Sequence, residues 1–283
     1  MDSHLQSGHG GLIIDCHAHI FTQDMPLRDK PRHAPTYDFT LEDYERQLDS
    51  HGVAMAVLAA ASPWADYNDY LVDSIAGKAR FRGTVILEPS VERYVLDNMA
   101  QDGVVGVRLH MIGQETLPDI TTFEYRRMFR RIRDQGWHVH LHCAGKDLPE
   151  VLPLLEKTGV DLVVDHLGRP EPERGIDSDG FKALLRTMEN GRTWIKASGH
   201  KRLGPASTDY LRELLRQCGN QRIVWGSDSP FVGEEDMTYQ STLDWLLDAV
   251  PDAEDRSRIL GVNALELYFG AQPPARVRPV SDV

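Results

Sequence analysis

The chain has 283 residues, with 31 Lys and Arg against 43 Asp and Glu, giving a formal charge of −12 at neutral pH. That length suits one large α/β domain. The acidic balance excludes a nucleic-acid or anionic-membrane partner, since both demand a basic surface. No apolar run reaches the ~18 residues of a membrane span, and no signal-peptide pattern opens the chain, so a cytoplasmic protein is expected. Three cysteines (Cys16, Cys143, Cys218) are odd in number and lack metal-type spacing, which reads as reduced thiols.

Residues 1–11 are polar and glycine-bearing, and read as a disordered arm or a cloning remnant; residues 271–283 read as a C-terminal tail. Between them, β-rich runs occur at 12–20, 54–60, 82–87, 104–110, 138–143, 161–167, 193–198 and 222–227. Amphipathic stretches of helical period separate them, at 41–51, 66–78, 91–101, 122–135, 148–158, 181–189 and 209–218. Thr40, ahead of Leu41-Glu42-Asp43, is a good helix N-cap with acids in the first turn. Residues 239–250 and 252–260 continue as helix after the last strand. Eight βα units predict a single-domain (β/α)8 barrel over residues 12–270. A doubly wound sheet would carry a glycine-rich phosphate turn, and none is found.

In such a barrel the active site collects at the C-terminal ends of the strands. His17 and His19, spaced i, i+2, share one face of the first strand, where two imidazoles suit a divalent metal or a polarised carbonyl. Arg108 and His110 share the opposite face from Val105, Val107 and Leu109 on the fourth strand. A guanidinium on an inward face needs an anion, which is either a protein carboxylate such as Asp15 or Glu88 or a substrate carboxylate. On the fifth strand His138 reads as structural, His140 as a core histidine, and His142 lies at the strand end. The sixth strand leads into Asp165-His166-Leu167-Gly168-Arg169, the seventh ends near Lys196, Lys201 and Arg202, and the eighth ends in Gly226-Ser227-Asp228-Ser229-Pro230. Taken alone, Asp228 is a helix N-cap. Polar groups at five strand ends of one barrel point instead to a shared pocket.

With those residues placed, the chain resembles the amidohydrolase superfamily, in its amidohydrolase-2 branch. The matching pieces are Asp15-Cys16-His17-Ala18-His19, Gly106-Val107-Arg108, His142, Asp165-His166-Leu167-Gly168-Arg169-Pro170 and Gly226-Ser227-Asp228-Ser229-Pro230. The Asp-His-Leu-Gly-Arg-Pro block is similar to that of the 2-pyrone-4,6-dicarboxylate lactonases and the sulfomuconolactone and sugar-lactone hydrolases. The resemblance implies that Asp228 is the general base, while His17, His19 and His166 polarise the ester carbonyl. It also implies that Arg108, Arg169 and Arg202, with His110 beside them, hold the small anionic substrate. His142 would complete a mononuclear metal site with His17, His19 and Asp228. Zinc suits three imidazoles and a carboxylate better than manganese, and catalysis without metal stays open. The fourth strand has no lysine at its end, which argues against a binuclear site.

One departure bears on the substrate. Dicarboxylate-specific members carry a second basic residue shortly after the strand-four arginine, whereas His110-Met111-Ile112-Gly113-Gln114-Glu115 has none. That weakens the case for the pyrone dicarboxylate itself and leaves room for a mono-anionic or sugar-derived lactone. The expected reaction is hydrolysis of a carboxylated cyclic ester. The alternatives are a metal-dependent decarboxylase of an unsaturated or aromatic acid, then a cyclic amide hydrolase. Specificity is expected in the loops at 22–40, 61–68, 112–121 and 199–208, the first rich in Arg, Lys and Pro and readable as a lid, an anion contact or plain surface.

Overall fold

A computed structural model describes residues 11–114 and 116–270. The arm at 1–10, the tail at 271–283 and Glu115, which entered the charge argument above, lie outside the described residues. Eight parallel strands follow chain order around the sheet: β1 (Ile14–Ala18), β2 (Met55–Ala59), β3 (Phe81–Val85), β4 (Val104–His110), β5 (His138–His142), β6 (Asp161–Val164), β7 (Thr193–Ala197) and β8 (Ile223–Trp225). Helices α1 (Leu41–Ser50), α2 (Asp69–Ile75), α3 (Arg93–Gln101), α4 (Phe123–Gln135), α5 (Leu148–Glu156) and α6 (Asp179–Met188) fill the intervals up to β7. After β7 come α7 (His200–Leu203) and α8 (Ser207–Cys218), and after β8 come α9 (Tyr239–Ala249) and α10 (Ala253–Ser257). This is the expected (β/α)8 barrel. Among the described residues no helix is long and apolar enough to cross a membrane.

Local chemistry accounts for the helix ends. Thr40 accepts from the Asp43 amide while the Asp43 side chain reaches back, forming a capping box. Thr122 caps α4, whose buried Met128, Phe129 and Ile132 form its sheet-facing stripe. Several expected boundaries shift. Strands β6 and β8 are shorter than the apolar runs because Asp165–Arg169 and Gly226–Asp228 have already left the sheet. Residues 200–203 form a short helix inside the expected loop, and wide helical turns extend the C-terminal helix through Phe269. That extension is packing-driven. Ala264 and Tyr268 join Ile14, Cys16, Val57 and Val224 in an apolar plug at the floor of the barrel.

The larger core lies between the strands and the helices, with Leu58, Val107, Leu141, Ile195 and Trp225 facing outward into it. In β1 the register shifts between Asp15 and Ala18. Such a bulge re-aims side chains: Ile14 and Cys16 join the floor, and His17 and His19 turn toward the upper end. The seam between β1 and β8 is closed above the strands. The Asp228 amide donates to the His17 carbonyl and the His19 amide to that of Ser229, both at 2.8 Å.

Asp15 holds this seam. Its fully buried carboxylate accepts from the Ser227 amide (2.9 Å) and hydroxyl (2.6 Å), from the His17 amide (3.1 Å), and from Tyr44 and Tyr239 (2.8 Å each). These donors come from β1, α1, the β8 loop and α9. Gly226 permits the close approach, since a Cβ there would meet the His17 Cβ at 2.7 Å. Asp15→Asn presents an amide hydrogen to a site built only of donors. It is expected to cost about 3 kcal/mol in urea unfolding and to lower activity by displacing Asp228 from His17; an unchanged midpoint would show that the seam closes without this charge.

Candidate active site

The upper end of the barrel gathers most of the expected residues. Asp228 lies in the left-handed region at φ 68, a conformation costing about 1–2 kcal/mol outside glycine. There its Oδ1 lies 3.6 Å from His17 Nε2, 3.7 Å from His19 Nε2 and 3.9 Å from His166 Nε2. Its Oδ2 accepts from Arg202 Nε at 2.8 Å. Arg202 comes from α7, so the unexpected short helix delivers a partner to the carboxylate. Burial works to raise the Asp228 carboxyl, but the imidazoles and the Arg202 guanidinium hold it well below the usual carboxylate range. It is therefore ionised at neutral pH.

A second carboxylate lies beneath. Asp165, buried at the end of β6, accepts from Arg108 Nε at 3.1 Å and stands 3.3 Å from Lys196 Nζ and 3.4 Å from His17 Nδ1. Burial opposes its charge, and Lys196, His17 and Arg108 more than offset that, so it too titrates well below its ordinary range. Arg108 thus has a protein partner, and it is Asp165, neither Asp15 nor Glu88. The same guanidinium donates to the Ala60 carbonyl (3.0 Å) and to His142 Nδ1 (3.1 Å). Three of its five protons are committed to protein.

The partners of each ring fix its tautomer. His19 Nδ1 contacts the Ala59 carbonyl at 2.6 Å, so that nitrogen carries the proton and Nε2 presents a lone pair toward Asp228. His142 is the reverse. Arg108 donates to its Nδ1, leaving a proton on Nε2, a buried atom with no partner among the described residues. His17 has Lys196 Nζ 3.0 Å from Nδ1, and its Nε2 is likewise buried without a partner. Donation from a charged Lys196 to Nδ1 places the His17 proton on Nε2, whereas Asp165 Oδ1, 3.4 Å from the same Nδ1, favours the other tautomer. His166 Nδ1 meets the Ser198 hydroxyl at 2.9 Å.

These contacts test the metal expectation. The ligand atoms of His17, His166 and Asp228 lie within 4.8 Å of one another, close enough for one ion, and His142 falls with Asp165 and His166 in a second group. The expected set of His17, His19, His142 and Asp228 does not form one such group: His166 takes its place beside His17 and Asp228, while His142 groups with Asp165. Ligating histidines usually donate their far N–H to a carboxylate or carbonyl. His19 obeys that pattern; His17 Nδ1 has both Lys196 Nζ and the Asp165 carboxylate behind it, and His142 has Arg108.

His110 sits beyond Arg108, in an adjoining cleft with Glu88 and Tyr125. His138 and His140 are buried below the site against Tyr268, as core residues. Arg169 borders the same pocket as Asp228, Arg202 and His19. Sequence reasoning gave no role to Lys196, whose signal was a charge on the inward face of an apolar strand, nor to Asp165 as counter-ion. Arg32 and His33, from the first loop, also line the pocket, and no motif announced them.

Burial drives His138 and His166 from 6.5 to about 4 and His110 to about 3, so all three are neutral in the folded protein. Between these values and 6.5 the unfolded chain binds protons that the native one does not, so stability falls as pH drops through that window. The slope is at most about 1.4 kcal/mol per pH unit for each histidine. Asp15, pushed up by burial, works in the opposite sense. The urea midpoint is expected to be lower at pH 5 than at pH 7; an equal or higher midpoint at pH 5 would show that the histidine contribution does not exceed that of Asp15.

Comparison with known proteins agrees with this geometry. An amidohydrolase family model matches residues 14–270. The chain is 26% identical over 266 residues to a 4-sulfomuconolactone hydrolase of Hydrogenophaga intermedia, covering 90% of this chain and 88% of that one. It is 28% identical over 279 residues to a 2-pyrone-4,6-dicarboxylate hydrolase of Comamonas testosteroni, covering 90% of each. A crystal structure from Acinetobacter baumannii, described as a 2-pyrone-4,6-dicarboxylic acid hydrolase with citric acid bound, superposes with a TM-score of 0.86 at 29% identity, over 91% of this chain and 99% of that one. With nearly the whole barrel matched, and the matched span holding each residue placed around Asp228, the chain belongs to the amidohydrolase family.

Proposed function

We propose that the chain is a lactonase that opens a carboxylated cyclic ester by general-base activation of water. The observation that carries this reading is the ionised Asp228 oxygen facing three imidazole Nε2 atoms beside a cationic wall. The relatives named above act on small anionic lactones, which supports it. In the attack, water oxygen bonds to the ester carbonyl carbon while its proton passes to Asp228 Oδ1. The carbonyl oxygen gains charge opposite the Nε2–H groups of His17 and His142 and beside His166, where the low-dielectric walls of the barrel strengthen each interaction. The tetrahedral species collapses, the ring C–O bond breaks, and Asp228 returns its proton to the departing oxygen.

Arg169 and Arg202 hold the substrate carboxylate. Arg108 contributes its remaining protons to the pocket wall, its larger part being to keep Asp165 charged and His142 oriented; His110 serves the far rim. His17, His166 and Asp228, with His19 adjacent, are the residues that would hold a divalent ion, zinc ahead of manganese, which would supply Lewis-acid polarisation of the carbonyl. Lys196 behind His17 favours the ring as proton donor, and hence hydrolysis by the side chains alone. The free thiols fit a reducing compartment, the cytoplasm.

Asp228→Asn is expected to lower kcat by at least about 10³-fold in a pH-stat assay on carboxylated lactones, with the far-UV spectrum unchanged; retention of the wild-type rate would overturn the assignment. Dialysis of the wild-type enzyme against a chelator is expected to leave its rate unchanged. Loss of rate restored by zinc would instead assign the ion to His17, His166 and Asp228.

A further inference from the structure

The cations around the pocket outnumber the carboxylates that neutralise them. Arg108 is paired with Asp165, and Arg202 with Asp228 and, at 3.9 Å, Glu234. Arg169 has no carboxylate within 4 Å among the described residues, and its Nη1 is buried without a hydrogen-bond partner. Burial, Arg32 and Arg202 together lower its affinity for the proton. Arg32 itself is exposed at the pocket mouth and makes no ion pair or side-chain hydrogen bond with any described residue. Two unpaired guanidiniums facing one pocket repel each other unless an anion bridges or divides them.

The first loop is also fixed in place. His33, next to Arg32, lies on Gly233 of the loop that follows β8. A Cβ at Gly233 would come within 3.0 Å of His33 Cε1, and the residue has a φ of +83, so only glycine suits the position. The contact packs the first loop against the loop after β8, and Arg32 lines the pocket together with Asp228, Arg169 and Arg202.

We propose that Arg32 is a specificity-determining residue. It binds a second anionic group of the substrate at the pocket mouth, while Arg169 and Arg202 hold the first, deeper in. The chain therefore prefers lactones bearing two anionic groups over the mono-anionic ones that the strand-four segment suggests, its second cation arriving from the loop after β1. This rests on the lactonase reading for its substrate, but the anion site can be tested without turnover.

The test compares Arg32→Gln with the wild type on 2-pyrone-4,6-dicarboxylate, on 4-sulfomuconolactone and on 2-pyrone-6-carboxylate, which keeps the ring and drops one carboxylate. The ratio of kcat/KM for the dicarboxylate to that for the monocarboxylate is expected to fall about 10- to 100-fold, carried by KM, with Arg32→Lys recovering part of it. A fall for the sulfonated lactone as well assigns the site to either oxyanion; a fall for the dicarboxylate alone assigns it to carboxylate. An unchanged ratio, or equal loss on both pyrones, overturns the proposal. Calorimetric titration with citrate separates this from the activity. If no lactone is hydrolysed but citrate binds the wild type at least tenfold more tightly than Arg32→Gln, the lactonase reading fails and the anion site stands. Equal citrate affinity, or none, removes the anion site.

Discussion

The constraint on which the site depends is the burial of one carboxylate at the seam of the barrel. A (β/α)8 sheet must close β8 onto β1, and here β8 is only three residues long. The remaining closure is made by loop backbone and by Asp15, whose five donors come from four elements. Burial raises this carboxyl and the hydrogen bonds oppose that rise, so the donors are what make a charge here tolerable. The same closure brings the Asp228 amide to the His17 carbonyl, which sets base and imidazole a fixed distance apart. Fold stability and site geometry are one interaction at this point.

Beneath the reacting groups, Asp165 organises the cations. Arg108, Lys196 and His17 all converge on it. Neither the Arg108 nor the Lys196 charge would be tolerable alone inside the barrel, and removing Asp165 would leave both uncompensated. The arrangement also decides chemistry. An ammonium behind His17 and a guanidinium behind His142 orient both rings with N–H toward the pocket, while the Ala59 carbonyl behind His19 does the opposite. Three histidines close together in space are thus different reagents, distinguished by what stands behind them.

How much of this was legible in the sequence follows from the same physics. Strand and helix periodicity exposed the eight units because each must bury one face, and the strand-end rule then collected His17, His19, His142, His166 and Asp228 without further information. Boundaries failed where tertiary packing overrides pattern: Ile223–Trp225 reads as longer because Ser227 and Asp228 follow it directly, and 258–269 stays helical because Tyr268 fills the barrel floor. The partner of Arg108 was misassigned because side-chain pairing crosses 57 residues of chain and depends on which strands neighbour which. Arg32 lies in the loop whose Arg, Lys and Pro content is readable as an anion contact, but no period or motif singles it out among its neighbours. Its place follows from the fold, where His33 packs on Gly233.

The chain combines a strongly acidic exterior with a basic pocket, and the two act at different ranges. At a net charge of −12 the molecule repels an approaching anion beyond the surface, but salt screens that field within about 8–10 Å. Inside, low-dielectric walls leave Arg169 and Arg202 much less screened, and the guanidiniums select by geometry as well as by sign. Anions unable to span the pocket meet the repulsion without the full compensation at the end of it. In the proposed site, a ligand with two suitably placed anionic groups offsets the mutual repulsion of Arg32 and Arg169 as it binds, which would favour it over a ligand with one.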